Sequence, residues 1–335
     1  MLFSCKVCLS AVMVQFSRGV TWMSYVGTTV GGFVLLKYIY GGARYEEDTQ
    51  IPGKTVIITG ASSGIGKATA LELTKRGARV ILACRDLKAA EEVKTKIIEE
   101  TNSSLVFVKK LDLASLTSIR NFAADINKTQ KRVDVLINNA GVMYCPQSVT
   151  REGFEMHLGV NHFGPFLLTN LLLDKMKQSK PSRIICVNDS VYKDGQIDFK
   201  DLNCKKFYDE RHAYRQSKLA NMLFVNELDR RLKDTGVTVN AVNPGICNTK
   251  IHRHSKTYHS IFLGNILGFL LTIFASNPQQ GSQTVVYAAV APELEEVSGK
   301  YFSNCKEEKI NPVGKDTKAA ERLWLISEKW TRLVS

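Results

Sequence analysis

No acidic residue precedes Glu46, and residues 20–36 and 261–275 carry no charge of either sign. No histidine or cysteine spacing fits a structural zinc, so no metal site is expected. No aromatic–basic signature of an RNA-binding surface is present, which removes nucleic acid as a partner despite a net charge of +13. The chain has no internal repeat and no low-complexity segment, which excludes solenoids and propellers. There are eight cysteines, but only Cys5 and Cys8 have redox or metal spacing. That pair precedes the folded region and lacks a βαβ context. The remaining cysteines lie mostly in apolar runs as buried thiols, which indicates a reducing compartment or one that needs no disulfides.

With 335 residues, 44% hydrophobic and 23% charged, the chain can build one large α/β domain with an appendage. Residues 1–19 are basic and form a targeting or flanking segment. The charge-free run inside 20–40 has Trp22 and Tyr25 near one end and Lys37 at the other. It is short for a span, yet this flanking is that of a membrane anchor in the bilayer. A buried or irregular N-terminal arm is the alternative. Residues 41–51 read as a polar linker, 52–325 as the folded domain and 326–335 as a tail. Membrane attachment at the endoplasmic reticulum or the mitochondrial inner membrane fits these features.

From residue 52 onward, strand and helix patterns alternate. Strands are expected at 55–59, 79–84, 105–111, 133–138, 183–188 and 237–242, with helices between them. This pattern predicts a Rossmann-type, doubly wound parallel sheet with helices on both faces. The first strand runs into Gly60-Ala-Ser62-Ser63-Gly64-Ile65-Gly66 and then a helix over 67–76. Such a turn lets a pyrophosphate approach the free N–H groups of a helix N-terminus. The spacing differs from G-x-G-x-x-G, and taken alone it also fits a ligand-free corner.

Further signals lie at the ends of successive strands, where open α/β sheets bind ligands. Cys84 stands where an acid would hold ribose hydroxyls and select NAD. Arg85 follows it and matches a 2′-phosphate, which favours NADP(H). Asp112, beside Leu113, can accept from an adenine amino group. Asn139, Ala140 and Gly141 are small enough to let the chain pass close to a cofactor. Tyr214 and Lys218 are spaced i, i+4 on a helix over 213–232, which puts phenol and ammonium on one face. The ammonium and a cationic nicotinamide ring together are expected to lower the phenol pKa, so that Tyr214 exchanges a proton with an alcohol oxygen.

TGASSGIG at 59–66, NNAG at 138–141, YRQSK at 214–218 and NPG at 243–245 together resemble the short-chain dehydrogenase/reductase family. The words LACRD, LINNAGVM, GVNH and VSGKYF are similar to its retinol dehydrogenase branch. The resemblance covers nearly everything after the anchor. It implies an NADP(H)-dependent enzyme acting on retinol, retinaldehyde or another hydrophobic alcohol or carbonyl. It also implies a seven-stranded parallel sheet ending at 298–302. Tyr214 would be the acid/base with Lys218 as its partner, and Asn161 would hold a relay water. Gly60, Gly64 and Gly66 would form the pyrophosphate turn, with Ile65 inside it. Pro244, Gly245 and Thr249 would flank the nicotinamide amide. A homo-oligomer is left open.

The ungapped alignment puts Asp189 where the family has a substrate-orienting serine. An ionised carboxylate cannot donate to a carbonyl and would raise the Tyr214 pKa. Three readings follow. Ser190 reaches the slot through a bulge, or a protonated Asp189 donates, or the chain is a cofactor-binding scaffold or sensor with weak or no catalysis. Residues 261–275 form either a lid over an apolar pocket or a core helix. Trp324 and Trp330 belong to a C-terminal helix and serve packing.

Overall fold

The strand order within the sheet is set by parallel crossovers. A computed structural model of the chain describes residues 44–245 and 277–333, together with Thr28. Its strands are β1 (Thr55–Thr59), β2 (Arg79–Cys84), β3 (Val106–Lys110), β4 (Val135–Asn138), β5 (Ser182–Val187), β6 (Val237–Asn243), β7 (Tyr301–Ser303) and β8 (Lys306–Glu308). They lie side by side in the order β3-β2-β1-β4-β5-β6-β7-β8. The first seven run parallel, and the expected seven-stranded sheet gains an eighth, antiparallel strand at its edge. The last parallel strand begins later than expected, because Ser298 and Gly299 form the loop before it. Ser298 Oγ accepts from the Val239 N–H at 3.0 Å.

Alternation along each strand builds two cores. On one face, Ile57, Ile81, Leu136, Ile184 and Val239 meet the helices α3 (Leu116–Thr129), α4 (Gly164–Gln178), α5 (Glu210–Arg231) and α7 (Thr317–Thr331). On the other, Val56, Ile58, Val80, Leu82 and Ile185 meet α1 (Gly64–Lys75), α2 (Leu87–Thr101) and α6 (Pro278–Val290). Chain order reverses between β1 and β4, which opens the crevice at the carboxyl ends of the strands.

Two expected boundaries move. The stretch read as a linker packs on the domain from residue 44 onward. Tyr45 is buried, its N–H donates to Gln283 Oε1 at 3.2 Å, and Arg76 Nη1 donates to the carbonyls of Glu47 and Thr49. The expected tail at 326–335 instead begins inside α7, where Ser327 and Thr331 are buried. As expected, Trp324 and Trp330 of that helix pack on the core. The expected anchor at 20–40, apart from Thr28, the segment 261–275 and Thr249 all lie outside the described residues. Among the described residues no helix is long and apolar enough to cross a membrane.

His162 lies in a π-helical turn (Gly159–Phe163) that leads into α4, among Phe163, Phe166 and Phe224. The Ser327 hydroxyl donates to the Leu323 carbonyl, so it accepts from His162 Nε2–H at 2.9 Å. His162 Nδ1 then has no hydrogen-bond partner. Burial lowers the imidazole pKa from 6.5 to about 3, and the nearby Asn221 amide offsets only part of this. The unfolded chain therefore binds this proton first. The stabilisation is fully present above pH 6.5 and is lost as pH falls toward 3, by about 1.4 kcal/mol per unit. Urea unfolding of the wild type should show that slope, and His162→Phe should flatten it.

Candidate active site

The carboxyl ends of β1 and β4 are tied together by one hydroxyl. Thr59 Oγ1 accepts from the N–H groups of Asn139 and Ala140, both at 3.0 Å. Asn139 Nδ2 donates back to the Thr59 carbonyl at 2.8 Å. This brings the Asn139–Ala140–Gly141 loop against the glycine turn. Gly60 has φ +67°, and a Cβ there would sit 2.9 Å from Ala140 Cα. At Gly66 a Cβ would meet Asn139 Nδ2 at 2.5 Å and the Gly60 carbonyl at 2.7 Å. The close approach, more than backbone freedom alone, requires glycine here. The N-cap of α1, Ser63, makes no side-chain capping bond, so the helix enters the cleft with its first N–H groups uncapped by a side chain.

The cleft above this turn has a volume of about 560 Å³, within the range of cofactor and ligand sites. Gly60, Ser62, Ser63, Gly64 and Ile65 form its floor, and Gly66 lies beneath. Arg85, Asp112, Leu113, Asn139, Ala140, Gly141, Pro244 and Gly245 also line it. Cys84 is buried at the end of β2, where its thiol is pushed up by burial. Arg85 is exposed at the lip, and the next residue, Asp86, caps α2 through the Ala89 N–H at 3.1 Å. The cradle at Gly60 and Gly66 and the uncapped helix start fit the pyrophosphate of a dinucleotide.

Opposite the turn, α5 presents Tyr214 and Lys218, both buried. Tyr214 Oη donates to Asp189 Oδ2 at 2.9 Å. Lys218 Nζ lies 5.7 Å from the Tyr214 ring centroid and donates to the Val187 carbonyl at 3.3 Å. In the protein without cofactor, Asp189 opposes Lys218, as its position beside the phenol leads one to expect. Burial and then the Asp189 charge raise the Tyr214 pKa well above its ordinary value of 10.0. Burial lowers the Lys218 ammonium pKa, against the opposing pull of Asp189.

Asp189 fills the expected serine position directly. Its Oδ1 accepts from the Val191 N–H at 3.1 Å and caps the 3-10 turn Ser190–Asp194. Ser190 is exposed and contacts Asp189 at 3.4 Å, so the bulge that would carry Ser190 to Tyr214 does not form. Asn161 is buried in the π-helical turn. Its Oδ1 accepts from the Val142 N–H, and its Nδ2 donates to the Val142 carbonyl and to Ser217 Oγ. The side chain therefore clamps the loop after β4 to α5, and both amide protons are engaged by protein groups.

Four contributors were not anticipated from sequence. Tyr144, at φ +50°, stands edge-on to Tyr214 with centroids 5.4 Å apart. The next residue in its loop, Cys145, is tied to the pair Glu155 and His157, both buried. His157 Nε2 accepts from the Cys145 N–H at 3.1 Å, and Nδ1–H donates to Glu155 Oε1 at 2.8 Å. Glu155 also accepts from the N–H groups of His157 and Leu158. The only sequence signal was an acid two residues before a histidine. Thr59 had a clearer one, a hydroxyl ending a buried strand.

A family model described as short chain dehydrogenase matches residues 54–259. Mouse retinol dehydrogenase 13 is 52% identical over 315 residues, 93% of this chain and 94% of that protein. Human retinol dehydrogenase 12 is 46% identical over 292 residues, 87% of this chain and 90% of that one. A crystal structure from Mycobacterium paratuberculosis superposes with a TM-score of 0.69 at 33% identity, covering 87% of this chain and 98% of that one. A protein described as an NAD(P)-dependent gluconate 5-dehydrogenase from Beutenbergia cavernae, solved with bound NADP, gives 0.61 at 25% identity over 76% and 95%. Likeness of this extent in both sequence and fold assigns the chain to the short-chain dehydrogenase family, oxidoreductases that work with NAD(P)(H).

Proposed function

We propose that the chain is a membrane-attached, NADP(H)-dependent oxidoreductase of hydrophobic alcohols and carbonyls, with retinol and retinaldehyde as the substrates to test. The observation that carries this reading is the convergence of Tyr214, Lys218 and Asp189 on the cleft wall facing the glycine turn. In the proposed complex the turn of Gly60, Gly64 and Gly66 holds the pyrophosphate and Arg85 holds the 2′-phosphate. Asp112 and Leu113 border the adenine. Lys218 reaches the nicotinamide ribose, and Pro244 and Gly245 flank the amide, the role the family resemblance also gives to Thr249. The nicotinamide, when bound, supplies or takes a hydride. Retinol dehydrogenases 13 and 12 supply the substrate class by their names. The charge-free run at 20–36 supplies the anchor, in the endoplasmic reticulum or the mitochondrial inner membrane.

Purified full-length protein should interconvert retinol and retinaldehyde, with NADPH favoured over NADH. Arg85→Ala should weaken NADPH by about 10- to 100-fold and leave NADH nearly unchanged, since only the phosphate partner is lost. Saturable NADPH binding with no turnover in either direction would instead identify a scaffold or sensor.

A further inference from the structure

Resting on the oxidoreductase reading, we infer that Tyr144 is a specificity-determining residue of the cleft: the face of its ring selects alcohols and carbonyls that are flat and conjugated beside the reacting oxygen. Its position is the first observation. Tyr144 lines the cleft together with Met143, Met156, Val160 and Val191, an apolar set. Its ring centroid is 5.4 Å from that of Tyr214 and the two planes are 75° apart, so the phenols do not stack. At most one face of Tyr144 is therefore covered by its neighbour. A substrate oxygen held by Tyr214 brings the adjoining carbons alongside this ring.

The second observation is conformation. Tyr144 has φ +50°, in the left-handed region that a bulky side chain rarely adopts. Such a residue persists only where its surroundings hold it, and glycine would serve a simple turn at lower cost. The next residue supplies the hold on both sides of its backbone. The Cys145 N–H donates to His157 Nε2 at 3.1 Å, and the Cys145 carbonyl accepts from Tyr208 Oη at 2.6 Å. The third observation is that the Tyr144 hydroxyl is not part of this hold. It makes no hydrogen bond among the described residues, and burial raises its pKa, so the ring meets the cleft uncharged.

A conjugated substrate is planar through the reacting carbon and its neighbours, and its π surface gains by lying against an aromatic ring. A saturated chain carries hydrogens on every side and cannot lie flat there. The two methionines adapt to the rest of the molecule and discriminate little.

The test uses full-length protein with retinol and with its fully hydrogenated counterpart, and the variants Tyr144→Phe, Tyr144→Leu, Tyr144→Ala and Tyr144→Gly. NADPH fluorescence checks that each variant binds cofactor. The measured quantity is kcat/KM for retinol divided by kcat/KM for the hydrogenated alcohol. Tyr144→Leu keeps apolar bulk and loses the flat face, so the ratio should fall by about three- to tenfold, through KM. Tyr144→Phe should hold it within about twofold of the wild type, since the hydroxyl takes no part. Tyr144→Gly should lose the selectivity as Tyr144→Ala does, yet melt about 2 °C or more above it, because glycine accepts the left-handed backbone. A ratio that survives in Tyr144→Leu and Tyr144→Gly would overturn the inference and leave the oxidoreductase reading standing. An equal fall in kcat on both alcohols in these two variants, with the ratio unchanged, would do the same and reduce Tyr144 to support for Tyr214. A wild type that binds NADPH and converts neither alcohol would overturn both.

Discussion

Gly66→Val should abolish NADPH binding while leaving most of the fold intact. A Cβ at position 66 meets Asn139 Nδ2 at 2.5 Å and the Gly60 carbonyl at 2.7 Å. Neither neighbour can give way. The Asn139 amide is bonded to the Thr59 carbonyl, and Gly60 is backbone in a left-handed turn packed against Ala140. The turn must open, and its N–H groups then leave the positions that cradle a pyrophosphate. Overpacking of this kind costs about 1–3 kcal/mol in the protein alone. The loss of aligned donors adds to it, so affinity should fall by at least about 100-fold. NADPH fluorescence titration reads the loss, and circular dichroism reads the fold. Gly53→Ala is the control: it also has positive φ, at +77°, but an added Cβ meets nothing within 4 Å. It should cost about 1 kcal/mol of stability and leave binding unchanged.

Glu155→Ala should be the most destabilising single change near the cleft, by about 3–5 kcal/mol. Its carboxylate is buried and accepts from three donors, the N–H groups of His157 and Leu158 and the His157 Nδ1–H. Removing it orphans all three. His157 would then no longer fix the Cys145 N–H, and Tyr144 would lose its place beside Tyr214. Denaturant unfolding should show the stability loss. Turnover by the surviving folded fraction should fall as well. Glu155→Gln should retain two of the three bonds and lose less.

The frame of the domain was legible because its strands are buried on both faces. Thr55–Thr59 and Arg79–Cys84 are continuous apolar runs, and their ends coincide with the sequence reading. β8 was not legible, since Lys306–Glu308 is a three-residue edge strand with no apolar pattern. The packing of residues 44–51 was equally hidden. Their composition is polar, and only the distant contacts to Gln283 and Arg76 hold them down. In the site, the glycine turn and the Tyr214–Lys218 face were readable from local spacing. The acidity of the phenol was readable only in part. The opposition of Asp189, 25 positions away, was, and the burial that also acts against the lysine was not. The roles of Thr59 and Asn161 as clamps required the crossing of β1, β4 and α5.

In the proposed complex the cleft over Gly60, Gly64 and Gly66 binds a nicotinamide dinucleotide that carries a 2′-phosphate. Titration of the purified wild-type protein with NADPH and with NADH, followed by nucleotide fluorescence, tests it most directly. Saturable 1:1 binding is predicted, at least about tenfold tighter for NADPH. A folded protein that binds neither nucleotide, or that prefers NADH, would contradict it.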